Sequence, residues 1–468
     1  MRIRFVIKGS LLGAALGAVI GIAYAHSRGR FDGLPVDGPP IALVGARLYD
    51  PAGDSVVDPA TVIIRGRTIT AVGRGVALPD SARTFYLSGL TLLPGLIDSH
   101  VHLSGIRSRI ADGSRELGWL RYFWRFSRRF PERRRAFINA GITSVKSLGD
   151  PYPWVFKLAA RIDRHELGGP RIFAGGPYLT AVGGHPLPSL RRAGQGDTSF
   201  IAQIARQLVE PDEARSAVDG IARRADFISV VLEKGGDPQV PELPVQVLNA
   251  IAAAGARNRL PTLVHVDALQ DVLIALAAGA RGIEHLPLDQ LIDPVTLAEL
   301  REQRVFVDPT LQAVEQLASG HNGDVAAART ARRNLRRLLA AGVPVVAGSD
   351  APSPGTTFGY TLHEELRNLV EAGYSPREAI ASATTVAAEY LGVAEHVGTI
   401  APGNWADIIA VGGDPLVDIS ATARVYLVVA DGQILLDRLD EIPAATSVVA
   451  LRDTARGRRA GPVSDYER

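Results

Sequence analysis

Two histidines one residue apart close an apolar run, Pro94-Gly95-Leu96-Ile97-Asp98-Ser99-His100-Val101-His102. In a strand, residues i and i+2 point to the same face. His100 and His102 can therefore aim two imidazoles at one point, and neutral imidazole is a ligand for zinc and similar ions. Alone, the pair reads equally well as two half-exposed histidines at a strand end, since short motifs carry false positives. It is not alone. Thr262-Leu263-Val264-His265 is another short β-prone run ending in His, and Gly282-Ile283-Glu284-His285-Leu286 is a further one. Val343-Pro344-Val345-Val346-Ala347-Gly348-Ser349-Asp350 ends in a carboxylate. The order His-x-His, His, His, Asp at successive strand ends supplies five metal ligands.

Those residues must be positioned by a scaffold that gathers strand ends. Strand-like and helix-like patterns alternate through the middle of the chain, as a parallel α/β architecture requires. Strands are expected near 92–98, 142–147, 171–176, 226–232, 262–266, 281–285, 305–309 and 345–350. Helices are expected over Val245 to Ala254, Ala268 to Ala278, Thr330 to Ala341 and Pro376 to Leu391, the last capped by Ser375 with Pro at its first position. Eight such strands fit an α/β (β/α)8 TIM-type barrel, whose sites sit at the C-terminal strand ends. The β-rich segments before and after the barrel are expected to pair into one small β-sandwich.

The ordered motifs PGLIDSHVHL, GITSVKSLGD, GGHP, LVHV, GIEHL, AGSDAP, HEELRNLVEAGYSPREAIASAT and GTIAPGNWADIIAV carry a resemblance. The chain resembles the amidohydrolase superfamily of metal-dependent hydrolases over roughly residues 41–440, and within it the imidazolonepropionase-like and Xaa-Pro dipeptidase-like branch. The resemblance implies one or two divalent metal ions, zinc foremost. It assigns His100, His102 and Asp350 to the more buried ion. His265 and His285 would bind a second ion, or His285 would orient water beside a single one. Asp350 would also take the proton of the activated water and return it to the leaving nitrogen. His185, in Gly183-Gly184-His185-Pro186, would contact substrate or the developing oxyanion. His363, at a helix start, reads as structural.

One position departs from the pattern. Two-metal members carry a carboxylated lysine on the fourth barrel strand, where this chain has Ile228-Ser229-Val230. Three repairs are open. Glu233 shares strand parity with Ser229 and could bridge two ions directly. Lys234 has the opposite parity and could serve only if a bulge re-aims it. The third possibility is a single ion and no bridge. Either charged residue could also be an ordinary strand-end surface group.

Composition adds bounds. The 468 residues suffice for one large barrel plus a smaller domain. Net charge is +2, so no strong field argues for nucleic acid. There is no cysteine, which excludes disulfides and thiolate chemistry. Arg2, Arg4 and Lys8 precede an uncharged run of 17 residues from Gly9 to Ala25, ending Ala23-Tyr24-Ala25. This pattern is expected to be a cleaved secretory signal or a membrane anchor, giving an exported or anchored protein. The expected division is 1–25 signal or anchor, 26–40 linker, 41–92 and 397–440 β-sandwich, 93–396 barrel, and 441–468 a polar tail. Arg107 to Arg135 holds ten arginines interleaved with aromatics, read as an amphipathic helix with a basic face or as a lid over the site.

The functional expectation is a metal-dependent hydrolase acting on a small molecule with an amide, dipeptide-like or cyclic amide C–N bond. The rival on the same scaffold is a mononuclear deaminase or ring-opening hydrolase of a heterocycle. A rival of another class is a catalytically silent ligand-binding barrel at the cell envelope. Oligomeric state is not legible.

Overall fold

Residues 38–105, 130–192, 202–319 and 324–443 are described by the structure, a computed structural model. The expected signal or anchor at 1–25, nearly all of the 26–40 linker, most of the arginine-rich segment and the tail from 444 lie outside the described residues. Among the described residues no helix is long and apolar enough to cross a membrane.

The first five strands are β1 (Ile41–Asp50), β2 (Ser55–Arg65), β3 (Thr68–Gly73), β4 (Arg83–Tyr86) and β5 (Leu90–Pro94). The central strands follow: β6 (Leu96–Val101), β7 (Ile142–Ser147), β8 (Arg171–Ala174), β9 (Tyr178–Ala181), β10 (Ala205–Leu208), β11 (Ile228–Val231), β12 (Thr262–His265), β13 (Gly282–Glu284) and β14 (Phe306–Asp308). Three more close the chain: β15 (Ile408–Gly412), β16 (Val425–Ala430) and β17 (Gln433–Asp437). Both flanks join one eight-stranded sheet in the order β17-β16-β15-β5-β1-β2-β3, with β4 beside β1. The seam is β5 against β15, antiparallel, with Leu93 opposite Ile409.

This seam corrects the strand expected near 92–98. The apolar run is cut at Pro94-Gly95: β5 stays in the flanking sheet and β6 begins the central one. Gly95 is required there, because any Cβ would run into the Thr143 side chain. The helix expected from Pro376 to Leu391 is likewise two, Pro376–Ser382 and Thr385–Tyr390. Between them the Thr384 hydroxyl donates to the Ile380 carbonyl at 2.7 Å, and Thr384 leaves helical dihedrals. The short strands β9 and β10 were not anticipated.

The central strands are parallel, in a three-stranded sheet β6-β7-β8 and a six-stranded sheet β10-β9-β11-β12-β13-β14. Isolated parallel bridges link Val307 with Val345 and Val101 with Ala351. The Asp226 amide donates to the Ala174 carbonyl at 3.0 Å, tying β8 to the approach of β11. The fold is α/β, and these links are consistent with a TIM barrel. The strands are buried on both faces, as a helix-covered parallel sheet demands. Leu96, Ile172, Ile228, Val264, Val307 and Val345 pack into one core cluster. Their neighbours Ile97, Phe173, Phe227, Leu263, Phe306 and Val346 pack into another on the opposite face. A third core belongs to the flanking sheet, around Leu43, Val62, Phe85, Leu92, Ile408 and Leu427.

Candidate metal centre

The strand ends bring five of the predicted residues together. His100, His102 and Asp350 place their ligand atoms within 4.8 Å of one another, and so do His100, His265 and His285. His100 therefore belongs to both groups. The rings of His100 and His102 meet edge to face with centroids 5.2 Å apart. Glu233 joins neither group. Its carboxylate lies 3.4 Å from His185 Nε2 and 3.9 Å from His285 Nε2, on the outer side of the cluster.

Backbone restraints hold these side chains. His285 and Thr310 lie just past β13 and β14, and Asp350 ends the segment 345–350, which forms no strand and pairs only through the Val345 bridge; their φ are +70°, +42° and +50°. Such left-handed residues cost on the order of 1–3 kcal/mol each and persist where surrounding structure over-determines them. Asp98 supplies much of that restraint. Its carboxylate accepts from the Ser349 amide at 2.9 Å and the Ser349 hydroxyl at 2.7 Å. The Asp350 amide donates to the His100 carbonyl at 2.9 Å, and the His102 amide to the Ala351 carbonyl at 2.9 Å. The His-x-His strand and the Asp350 turn are thus fastened to each other. Gly348 lets them approach, since a Cβ there would strike the side chains of Asp308 and His100.

The electrostatics favour a cation among these groups. Burial pushes the Asp350 carboxyl up, but the hydrogen bond from His102 and the charges of His100, His102 and His285 outweigh it and hold Asp350 well below the usual carboxylate range. His102 Nε2 stands 2.9 Å from Asp350 Oδ1. Burial opposes a charge on His102, yet the hydrogen bond and charge of Asp350 raise it above the ordinary histidine value. His100, His265 and His285 are all pushed down, by burial first. The neutral imidazoles of His100, His265 and His285 and the ionised Asp350 are in the states a divalent ion needs, and His102 would give up its proton on binding one. His100 Nε2 is fully buried and has no hydrogen-bond partner among the described residues. It lies 3.8 Å from Asp350 Oδ1. An orphaned imidazole nitrogen facing a carboxylate and a second imidazole fits a metal ligand, so the residues present fit the metal that the family implies.

Second contacts fix the other candidate ligands. His102 Nδ1 is 2.8 Å from the Leu148 carbonyl, which leaves Nε2 for the site. His285 Nδ1 is 2.6 Å from Thr310 Oγ1, and His265 Nδ1 is 3.3 Å from His285 Nε2. Tyr178 stands beside them, its hydroxyl 3.3 Å from His102 Nδ1. Burial and the nearby Asp350 and Glu233 hold that phenol protonated, well above its ordinary value.

Sequence reasoning missed a buried layer under the cluster. Glu284 Oε2 accepts from His100 Nδ1 at 2.9 Å. Its other oxygen takes the Lys146 ammonium and the Tyr390 hydroxyl. Asp308 reaches to 3.9 Å from His100 Nδ1. A parity signal was available. Lys146, Glu284 and Asp308 each follow a residue of the outer core cluster, Val145, Ile283 and Val307, so they face inward as His265 does. Lys146 is one of only four lysines in the chain.

The fourth strand resolves one alternative. Lys234 points away and pairs with Glu242 at 2.5 Å, partly exposed, so the lysine repair is corrected: no bulge re-aims it. Ser229 faces inward, its hydroxyl 3.1 Å from His265 Nε2. Glu233 is pushed well above the usual carboxylate range by burial and by Asp267, Asp350 and Asp271. His363 lies away from the cluster, bonded to Thr422 Oγ1 and the Ala140 carbonyl, each at 2.9 Å, and burial pushes it down to about 4.

The Amidohydrolase family model matches residues 91–435. The chain belongs to the amidohydrolase family. It is 25% identical over 413 residues to ochratoxinase from Aspergillus niger, covering 81% of this chain and 82% of that protein. It is 24% identical over 386 residues to imidazolonepropionase from Deinococcus deserti, covering 78% and 88%. Among solved structures, a Xaa-Pro dipeptidase with methionine bound in its active site superposes with TM-score 0.70 at 25% identity, covering 84% of this chain and 99% of that one. This amidohydrolase is accordingly a hydrolase acting on C–N bonds.

Proposed function

We propose that this amidohydrolase cleaves the amide, dipeptide-like or cyclic amide bond of a small molecule around one divalent ion held by His100, His102 and Asp350. The observation that carries the reading is the convergence of those three side chains on the orphaned His100 Nε2. A bound ion of this kind, zinc foremost, supplies Lewis-acid activation of water and carbonyl at neutral pH. Asp350 is ionised throughout the ordinary pH range, so it enters turnover as the proton acceptor. It then returns the proton to the departing nitrogen. His285 is held by Thr310 and directs its Nε2 inward, where it can orient the scissile carbonyl. The neutral Tyr178 hydroxyl, beside His102, is assigned as a second donor to that oxygen. His185, beside Glu233 at the rim, is assigned to substrate contact.

One ion is favoured over two because an uncharged hydroxyl, Ser229, occupies the inward place on β11 beside His265. A two-ion site bridged by Glu233 is the second reading, supported by its buried carboxylate 3.9 Å from His285. The central sheets are proposed to close as a (β/α)8 barrel spanning 93–396, and the flanking sheet of 41–92 and 397–440 to curl as a sandwich around its own core. Residues 1–25 are proposed to direct export, as a cleaved signal or an anchor. The deciding experiment is metal content per chain, with turnover of N-acyl amino acids, Xaa-Pro dipeptides and cyclic ureides. Wild-type protein that turns over none of these and takes up no ion would leave only the silent ligand-binding barrel.

A further inference from the structure

We propose that Glu284, itself held by Lys146 and Tyr390, sets the tautomer of His100 and so makes its Nε2 a ligand. The assignment rests on the metal reading above. His100 has two ring nitrogens with opposite surroundings. Nε2 faces the site and has no partner among the described residues. Nδ1 faces the buried layer, 2.9 Å from Glu284 Oε2. A carboxylate accepts only, so the imidazole proton sits on Nδ1 and the lone pair on Nε2.

Glu284 is aimed from behind. Its Oε1 is taken by the Lys146 ammonium and by the Tyr390 hydroxyl at 2.5 Å, which leaves Oε2 directed at the imidazole. Lys146 is in turn 3.1 Å from Tyr390 Oη, so the three groups fix one another. Glu284, Lys146 and His100 are all fully buried. The competing acceptor at Nδ1 is Asp308, but at 3.9 Å it is beyond hydrogen-bond reach. The positions arise from topology: β6, β7 and β13 deliver one residue each to the same inward layer. A buried ion pair contributes little to stability relative to apolar packing of the same volume, which directs attention to orientation as its role. Glu284 is a positioning residue for the ligand, and Lys146 positions Glu284.

Two measurements test this. Histidine-selective nitrogen-15 spectra of metal-free wild-type protein, with His100 identified by its loss in His100→Gln, should show the Nδ1–H tautomer. An Nε2–H tautomer overturns the proposal, and this readout needs no altered layer. Zinc affinity, read by competition with a chelator, should fall about 10–100-fold in the double variant Lys146→Met with Glu284→Leu, the usual cost of losing a ligand's carboxylate partner. Both charges leave together, so no ion is stranded in the core. Lys146→Met with Glu284→Gln keeps an acceptor oxygen and should recover most of the lost affinity. Equal affinity in the Leu and Gln variants means packing alone and overturns the assignment. Wild-type protein that takes up no zinc overturns the metal reading instead, while the tautomer spectrum still reports on Glu284.

Discussion

Replacing Asp98 with asparagine should flatten the pH dependence of folding stability in the acid-to-neutral range. Asp98 is fully buried and accepts from the Ser349 amide, the Ser349 hydroxyl and the His100 amide. Burial nevertheless dominates and pushes its carboxyl from 3.8 up to about 7. The sign follows from proton counting. The unfolded chain releases this proton near pH 3.8, whereas the native protein keeps it until about pH 7. Between those values the native state binds more protons, so stability falls as pH rises. The interval amounts to about 4 kcal/mol by pH 8. An asparagine is nearly isosteric: its oxygen still accepts from the two amides, and its amide group donates to the Ser349 hydroxyl. The assay is denaturant unfolding of both proteins, metal-free, from pH 4 to pH 8. The variant should gain on the wild type progressively up to about pH 7, by an amount on the order of that 4 kcal/mol. A difference between the two proteins that stays constant with pH would show that Asp98 ionises without penalty, and the burial reasoning would be wrong.

The remaining expectations are quickly checked. Asp350→Asn should keep the fold by circular dichroism yet lose activity on N-acyl or Xaa-Pro substrates by about 10²–10⁴-fold, the usual contribution of a positioned proton-transfer group. Lys234→Ala should leave metal content and turnover at wild-type levels, because its ammonium pairs with Glu242 away from the cluster; stability should move by under about 1 kcal/mol. Glu233→Gln separates the two metal counts. With one ion, elemental analysis still finds one per chain; with a Glu233 bridge, a second ion present in the wild type disappears.

The five residues that the structure gathers were legible because each ends a β-prone run, and the period of 2 then dictates the face of His100, His102 and His265. Lys234 was dismissed by the same parity unless a bulge intervened, and none does. The cut at Gly95 was not legible. The run from Leu90 to Ile97 is broken by Pro94 and Gly95, but such a break reads equally as a bulge within one strand, and only the pairing of β5 with β15 and of β6 with β7 shows that the chain changes sheets there. The split at Thr384 failed for a related reason. Helix propensity runs on through 376–391, and the interruption comes from a hydroxyl bonding back to Ile380. Glu284, Asp308 and Lys146 were overlooked for a different cause. A lone charge in an apolar run reads as a strand-end surface group, and although parity points all three inward, only the assembled layer shows Glu284 and Asp308 beside His100 with Lys146 on Glu284.

That layer explains why a packed interior tolerates so many polar groups. Filling the space beneath the cluster with apolar side chains of equal volume would be neutral or stabilising for the fold. Leu and Met, however, cannot choose between the two nitrogens of His100, nor hold Asp350 in a left-handed turn. Asp98 does the second task through Ser349 and the His100 amide, and Glu284 has the geometry for the first. Asp350 and His285, both with positive φ, are themselves ligand candidates, and Thr310, also with positive φ, is bonded to His285. At this cluster left-handed backbone and buried charge lie side by side, where side chains must be held in a fixed direction. Elsewhere in the central sheet the inward positions are filled by Ile97, Phe173, Leu263 and Phe306. A molecule built for stability alone would extend that apolar filling to the strand ends, and the polar departure marks where orientation has been placed ahead of it.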